Sequence, residues 1–434
     1  MCGSYIGTAD TVIEKSGMNR FGKFLRSMFY IGCIGFGGGS ALIPMIEREI
    51  VEKQGLDEKQ NIDKDVIVAS ITPGALPVEI AASIGRRGFG VKGMVAGALM
   101  MALPGTILTV LLVTILSVFQ ERIITVVNLI SVGISVFIIY LLLSYIKNML
   151  AACEEEGRLR KIKAIALMLG IFGLSFFIST VQVLVLAFFG IFYTRGNYSR
   201  KKMICLTFFS FFYLYTHSTY FQPDMTFFRH GIDILMIILS LYGICSNIRE
   251  NHWDGKKDWK EIGKDTGVWI IFLLMLVMPA VFISHKAALF SGQGLLSAWV
   301  SFGGGDAYLT IADGFFVEGG WISSRQYYSH IVPAVNVLPG SILCKTLAAA
   351  GYYAGWNLTG NAVAGILFAL AGFASSIAAS CSFFMLAYHL YDYLITLQVF
   401  RIIRKWIRPM VGGLLIKIMI MLCWQNIQII QSFF

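Results

Sequence analysis

Two ionisable side chains stand where an apolar chain has little use for them. Glu79 and Lys345 each lie six residues beyond the proline of a Pro-Gly pair, Pro73-Gly74 and Pro339-Gly340, in stretches that are otherwise apolar. One charge at mid-bilayer costs about 2.5–3.5 kcal/mol even on lenient scales. Opposite charges at matching positions therefore suggest a pair across a symmetry axis, and Glu79 is also suited to carry a proton. The competing reading is that one or both snorkel to the membrane interface.

The positions match because the chain repeats itself at an offset of 266 residues. Phe36-Gly37-Gly38-Gly39 returns as Phe302-Gly303-Gly304-Gly305, and Pro73-Gly74 returns as Pro339-Gly340. Residues 36–85 and 302–351 share 13 of 50 identities without a gap. Glycine in a helix interior costs about 1 kcal/mol relative to alanine, and proline removes a donor and clashes with the preceding turn. In hydrocarbon the freed backbone groups need partners, so such breaks survive only against protein or a water-filled cavity. Two half-helices meeting at a break present N–H groups and partial positive charge at membrane depth, which is an anion site made of backbone. The candidate substrate-binding residues are thus Gly37, Gly38, Gly39, Pro73, Gly74, Glu79, Gly303, Gly304, Gly305, Pro339, Gly340 and Lys345. Close helix packing is the alternative for a single glycine cluster, since Gly35–Gly39 and Gly93–Gly97 both fit G-x-x-x-G.

Other patterns carry less chemistry. Arg86 and Arg87 read as a topology signal or as an electrostatic funnel for anions. Residues 88–93 fit G-x-G-x-x-G, but no strand precedes them, which argues against a nucleotide site. There is no Walker A sequence, no H-E-x-x-H and no G-x-S-x-G, and neither the six histidines nor the eight dispersed cysteines show ligand spacing. We expect no enzyme activity, no cofactor and no metal.

The elements that must position these residues are membrane helices. The chain is 56% hydrophobic and only 14% charged, where an average soluble domain carries about 25% charged residues. Its net charge of +10 fits cytoplasmic loops rather than nucleic acid. The expected fold is an all-α polytopic membrane protein in the plasma membrane, made of two homologous, inverted repeats with broken, re-entrant helices. Inversion follows from charge: residues 47–92 hold seven Lys/Arg and the matching stretch 313–358 holds two. Seven candidate crossings lie between the repeats, at 93–118, 123–146, 164–178, 180–193, 203–221, 226–246 and 266–284, an odd number that agrees with inversion. The division is a cytoplasmic segment 1–23, a first repeat 24–200, connecting helices 201–285 and a second repeat 286–434. Residues 389–408 suit either a helix on the cytoplasmic surface or a continuation of the preceding span.

At its motifs the chain resembles the chromate transporter family, over about 24–145 and 290–388. The likeness rests on Gly35–Gly39, Thr72-Pro73-Gly74 and Ala102-Leu103-Pro104, then Ser301–Gly305, Glu318-Gly319-Gly320-Trp321 and Leu338-Pro339-Gly340. It implies an ion transporter whose long members have two domains and export chromate, with sulfate as a related oxyanion. Where the family pattern has proline, Gly39, Ala75 and Ser341 stand here. Glu79 replaces a common glutamine and Lys345 an apolar residue. These departures fall on the candidate site. A different anion, a small organic acid or an anion channel are the other readings, and protons are a possible coupling partner.

Overall fold

The computed structural model describes residues 6–35, 42–118, 122–178, 180–194, 199–216, 226–250, 259–301, 305–391 and 397–431. All regular structure among the described residues is helical. The first half opens with α1 (Ile6–Ile34), then α2 (Ile43–Ile46), which continues as a π-helical stretch Glu47–Lys53. It goes on to α3 (Lys59–Ile71) and α4 (Leu76–Val118). The second half follows the same order, with α11 (Lys286–Trp299), α12 (Gly305–Ala312) and the π-helical stretch Asp313–Val317. A π-helical stretch Gln326–Ile331 then runs into α13 (Val332–Val337), followed by α14 (Ile342–Thr359) and α15 (Ala362–His389). Two element starts recur at the offset of the sequence motifs: Glu47 and Asp313, then Leu76 and Ile342, are 266 residues apart.

α4 is 43 residues long. Straight, it would span roughly 65 Å at 1.5 Å per residue, twice the ~30 Å hydrocarbon core. Gly90 prevents that, because its φ of 65° folds the helix back on itself. Gly85 and Gly93 then face each other so closely that a Cβ on either would strike the other's carbonyl oxygen. The arms 76–89 and 91–118 thus form a hairpin, as α14 and α15 do around Gly360, at φ 67°. The stretch that fits G-x-G-x-x-G is this turn.

Between the halves lie α5 (Arg122–Glu155), α6 (Arg158–Leu174), α7 (Thr180–Thr194), α8 (Arg200–Thr216), α9 (Thr226–Glu250) and α10 (Trp259–Ile283). With the second arm of α4 they overlap the seven expected crossings, of which 203–221 ends outside the described residues. Leu76–Ser117, Trp259–Ile283 and Ala362–His389 are the described helices long and apolar enough to cross a membrane. Several of these helices turn large apolar side chains outward, such as Tyr140, Ile204, Phe211 and Phe282. A surface of that kind suits lipid rather than water. Of the stretch 389–408, for which a surface helix and a continuation of the preceding span are the two readings, 392–396 lie outside the described residues and 398–408 belong to the last helix, α16 (Gln398–Gln431). Its residues 398–408 are the opening turns of one continuous helix that passes through Pro409.

The core gathers around α14 and α15. Ile342 through Gly355 of α14 are all buried, and α15 packs against α14, α10, α11 and α4. Small residues allow it. A Cβ on Gly351 or Gly355 would collide with the carbonyls of Phe368 and Ala364, and one on Gly372 with that of Leu347. The two backbones approach as closely as glycine permits.

Candidate functional site

The two Pro-Gly pairs end their helices in the same way. Thr72 and Leu338 turn extended, at ψ 151° and 146°, and donate their N–H groups to Val68 and Ala334. Pro73 and Pro339 have no N–H to continue the ladder. Gly74 and Gly340 then take φ values of 142° and 94°, a region that side chains resist. After each break a buried helix begins, α4 or α14.

Each break is tied to the opposite half. The Gly74 N–H donates to the Ser301 carbonyl at 3.3 Å, and the Gly340 N–H donates to the Gly35 carbonyl at 2.8 Å. Ser301 and Gly35 immediately precede the two Phe-Gly-Gly-Gly motifs, so the bonds correspond to each other at the 266-residue offset. The Ala75 N–H donates to Ser380 Oγ of α15 at 3.1 Å. On the other side Gly105 of α4 lies against Pro339, whose carbonyl oxygen a Cβ there would strike. In this conformation the Gly74 and Gly340 amides therefore serve protein carbonyls rather than an anion. Of the glycines named from sequence, Gly37, Gly38, Gly39, Gly303 and Gly304 lie outside the described residues, and Gly305 opens α12.

Glu79 and Lys345 both sit on the first turn or so after their breaks, and both are buried, at 0% and 1% exposure. Snorkelling is thereby excluded for this conformation. They do not form the expected pair. The Lys345 ammonium donates to the Val335 carbonyl at 2.6 Å and to the Leu338 carbonyl. These groups close α13, where helix carbonyls concentrate partial negative charge. Lys345 thus satisfies the end of its own half rather than reaching across. Neither carboxyl oxygen of Glu79 makes a hydrogen bond. The carboxyl lies against Gly74, where any Cβ would overlap Oε1, and beside the Thr72 hydroxyl.

A second cluster, which sequence reasoning missed, occupies the far end of the first α4 arm. Arg87 donates through Nη1 and Nη2 to the two oxygens of Asp65, at 2.8 and 2.6 Å. It also grips Asp57 at 2.6 Å and Ser83 at 2.7 Å. Arg86 Nε donates to both oxygens of Asp265 of α10, at 2.8 and 2.9 Å. The His389 ring is 3.4 Å from the same carboxylate. Lys64 lies 4.7 Å over the Tyr388 ring. The arginines are engaged with carboxylates, which leaves no open funnel for anions, and the network joins α3, α4, α10 and α15. Its one advance signal was an arginine pair in a chain whose other half has none at that place. Among the described residues no three His, Cys, Asp or Glu side chains converge as metal ligands.

The chain is 33% identical over 100 residues to an uncharacterised transporter of Methanocaldococcus jannaschii, 23% of this chain and 24% of that protein. It is 31% identical over 78 residues to the uncharacterised transporter YwrB of Bacillus subtilis, 18% of this chain and 40% of that one. YwrA of the same organism is 24% identical over 95 residues, 22% of this chain and 53% of that protein. The matched stretches thus span about half or less of each relative. No solved structure matches. The model of the chromate transporter family matches residues 22–194 and 289–433, most of the chain and both clasped breaks. An all-helical membrane protein with this match belongs to the chromate transporter family.

Proposed function

We propose that the protein is a secondary transporter of an inorganic oxyanion in the plasma membrane, with chromate efflux as its leading activity and sulfate as a related substrate. The supporting observation is the pair of corresponding hydrogen bonds, Gly74 to Ser301 and Gly340 to Gly35, which tie each break to the opposite half. Two inverted repeats that share one central site would make such bonds, and rocking one half against the other would break and remake them. The amides now held by carbonyls are then the donors an anion receives when the halves part. Energetics favour export, since an interior negative potential is worth ~2.3 kcal/mol per charge per 100 mV.

The buried Glu79 and Lys345 favour a second reading within transport, in which the site accepts a different anion or a small organic acid. Uptake of radiolabelled chromate and sulfate into everted vesicles, beside a folded Gly304→Leu variant, tests the proposal. Saturable chromate uptake that the variant loses supports it. Uptake of neither anion by well-folded wild type points to another substrate. Flux without saturation or counterflow points to a channel.

A further inference from the structure

We propose that Glu79 is the proton-carrying group of this protein: its carboxyl takes up a proton as the anion binds, and the two cross together. The inference rests on the transporter reading above and names the partner of the same site.

Glu79 is fully buried, and neither oxygen has a hydrogen-bond partner. The polar group beside it is the Thr72 hydroxyl, whose proton is already donated to the Val68 carbonyl at 3.0 Å. Towards Glu79 that hydroxyl can only accept. A carboxylate at this spot finds no donor, whereas a carboxylic acid finds an acceptor in place. No cation compensates, because the Lys345 ammonium is held on the α13 carbonyls. The titratable side chains facing Glu79 are Cys344 of α14 and Cys381 of α15. On α3, Asp65 is bound to Arg87 and Ser83, and among the described residues no other charged side chain presses on the Glu79 carboxyl. The structure thus holds Glu79 in the state that bears a proton.

The coupling follows from position. Glu79 abuts Gly74, whose amide is one of the two that join the halves. An anion admitted to that junction would be repelled by an ionised Glu79 and tolerated by a neutral one. Anion and proton therefore occupy the same state of the transporter, which is symport. A route for the proton runs along one face of α4. Ser83 lies one turn beyond Glu79 and donates to Asp65 at 2.8 Å. Arg87 is a turn further and links Asp65 to Asp57. The distance from 79 to 87 is about 12 Å of helix.

The test uses the full chain in liposomes, with the membrane potential clamped at zero by potassium and valinomycin. Radiolabelled chromate or sulfate is the probe, and an internal pH dye reports protons. With one proton per anion, each unit of pH gradient raises wild-type accumulation about tenfold, and protons move in the same direction as the anion. Glu79→Gln mimics the neutral carboxyl. Whatever its rate of anion counterflow, its accumulation is expected no longer to respond to the pH gradient. Accumulation indifferent to pH in wild type, protons moving against the anion, or pH-driven accumulation in Glu79→Gln would each overturn the proposal and leave the transporter reading standing. Absence of chromate and sulfate flux in folded wild type sinks the oxyanion reading and this proposal with it. If the variant fails to fold, the dye measurement on wild type can still overturn the proposal.

Discussion

Lys345 and Glu79 occupy equivalent places and solve opposite problems. The ammonium of Lys345 satisfies two main-chain carbonyls. Replacing it leaves those carbonyls buried and short of donors, which costs about 1–3 kcal/mol. We expect Lys345→Met to lower stability in detergent by that amount, read from thermal or denaturant unfolding. Gln offers the Thr72 hydroxyl a donor as a neutral carboxyl does, and Glu79 has no other hydrogen bond to lose, so Glu79→Gln should change stability by less than about 1 kcal/mol. A large loss for Glu79→Gln would mean that the carboxyl has a partner in solution. The offset between the motifs located both residues in advance, but not their partners. A lysine stem can reach its own helix end as readily as an opposite charge, and nothing in residue order ranks the two.

At the scale of elements, the hairpins stand or fall on where two backbones touch. Gly351 faces the Phe368 carbonyl at a distance that admits no Cβ, whereas Gly88 has nothing within 4 Å. Gly351→Ala should therefore cost about 1–3 kcal/mol as α14 and α15 are pushed apart. Gly88→Ala, in a helical conformation, should be neutral or stabilise by up to about 1 kcal/mol. Equal effects of the two would refute the packing account. The cluster at Arg87 ties α3 to α4 through Asp65, which is 0% exposed. Removing the guanidinium strands a buried carboxylate and should cost about 3–5 kcal/mol. Arg87→Met combined with Asp65→Asn should recover part of that loss in the same unfolding measurement, and a strictly additive double variant would disprove the pairing. The breaks themselves were legible, since proline and glycine act through the backbone wherever they stand. The network was not. Arg86 and Asp265 are 179 residues apart, and the stretch holding Asp265 reads as connecting helices because it carries none of the repeat motifs.

For the whole molecule, charge rather than element order sets the orientation, because element order is the same whether the halves point alike or oppositely. The first half carries seven Lys/Arg over residues 47–92 and the second carries two over 313–358. Positive charge collects on the cytoplasmic side, so the turn near Gly90 and the turn near Gly360 should face opposite sides of the membrane. Arg86 and Arg87 weaken that inference somewhat, since both are bound to carboxylates and much of their charge is compensated. Gly88 and Leu358 are exposed beside the two turns, and each tolerates a small side chain in open surroundings. In a background cleared of the native cysteines, a membrane-impermeant thiol reagent should label Leu358→Cys in intact cells. Gly88→Cys should react only in everted vesicles or permeabilised cells. Labelling of both from one side would mean parallel halves. The corresponding bonds between the breaks would then need a twofold axis along the membrane normal, and a site open to alternate sides would have to come from movement within each half rather than between them.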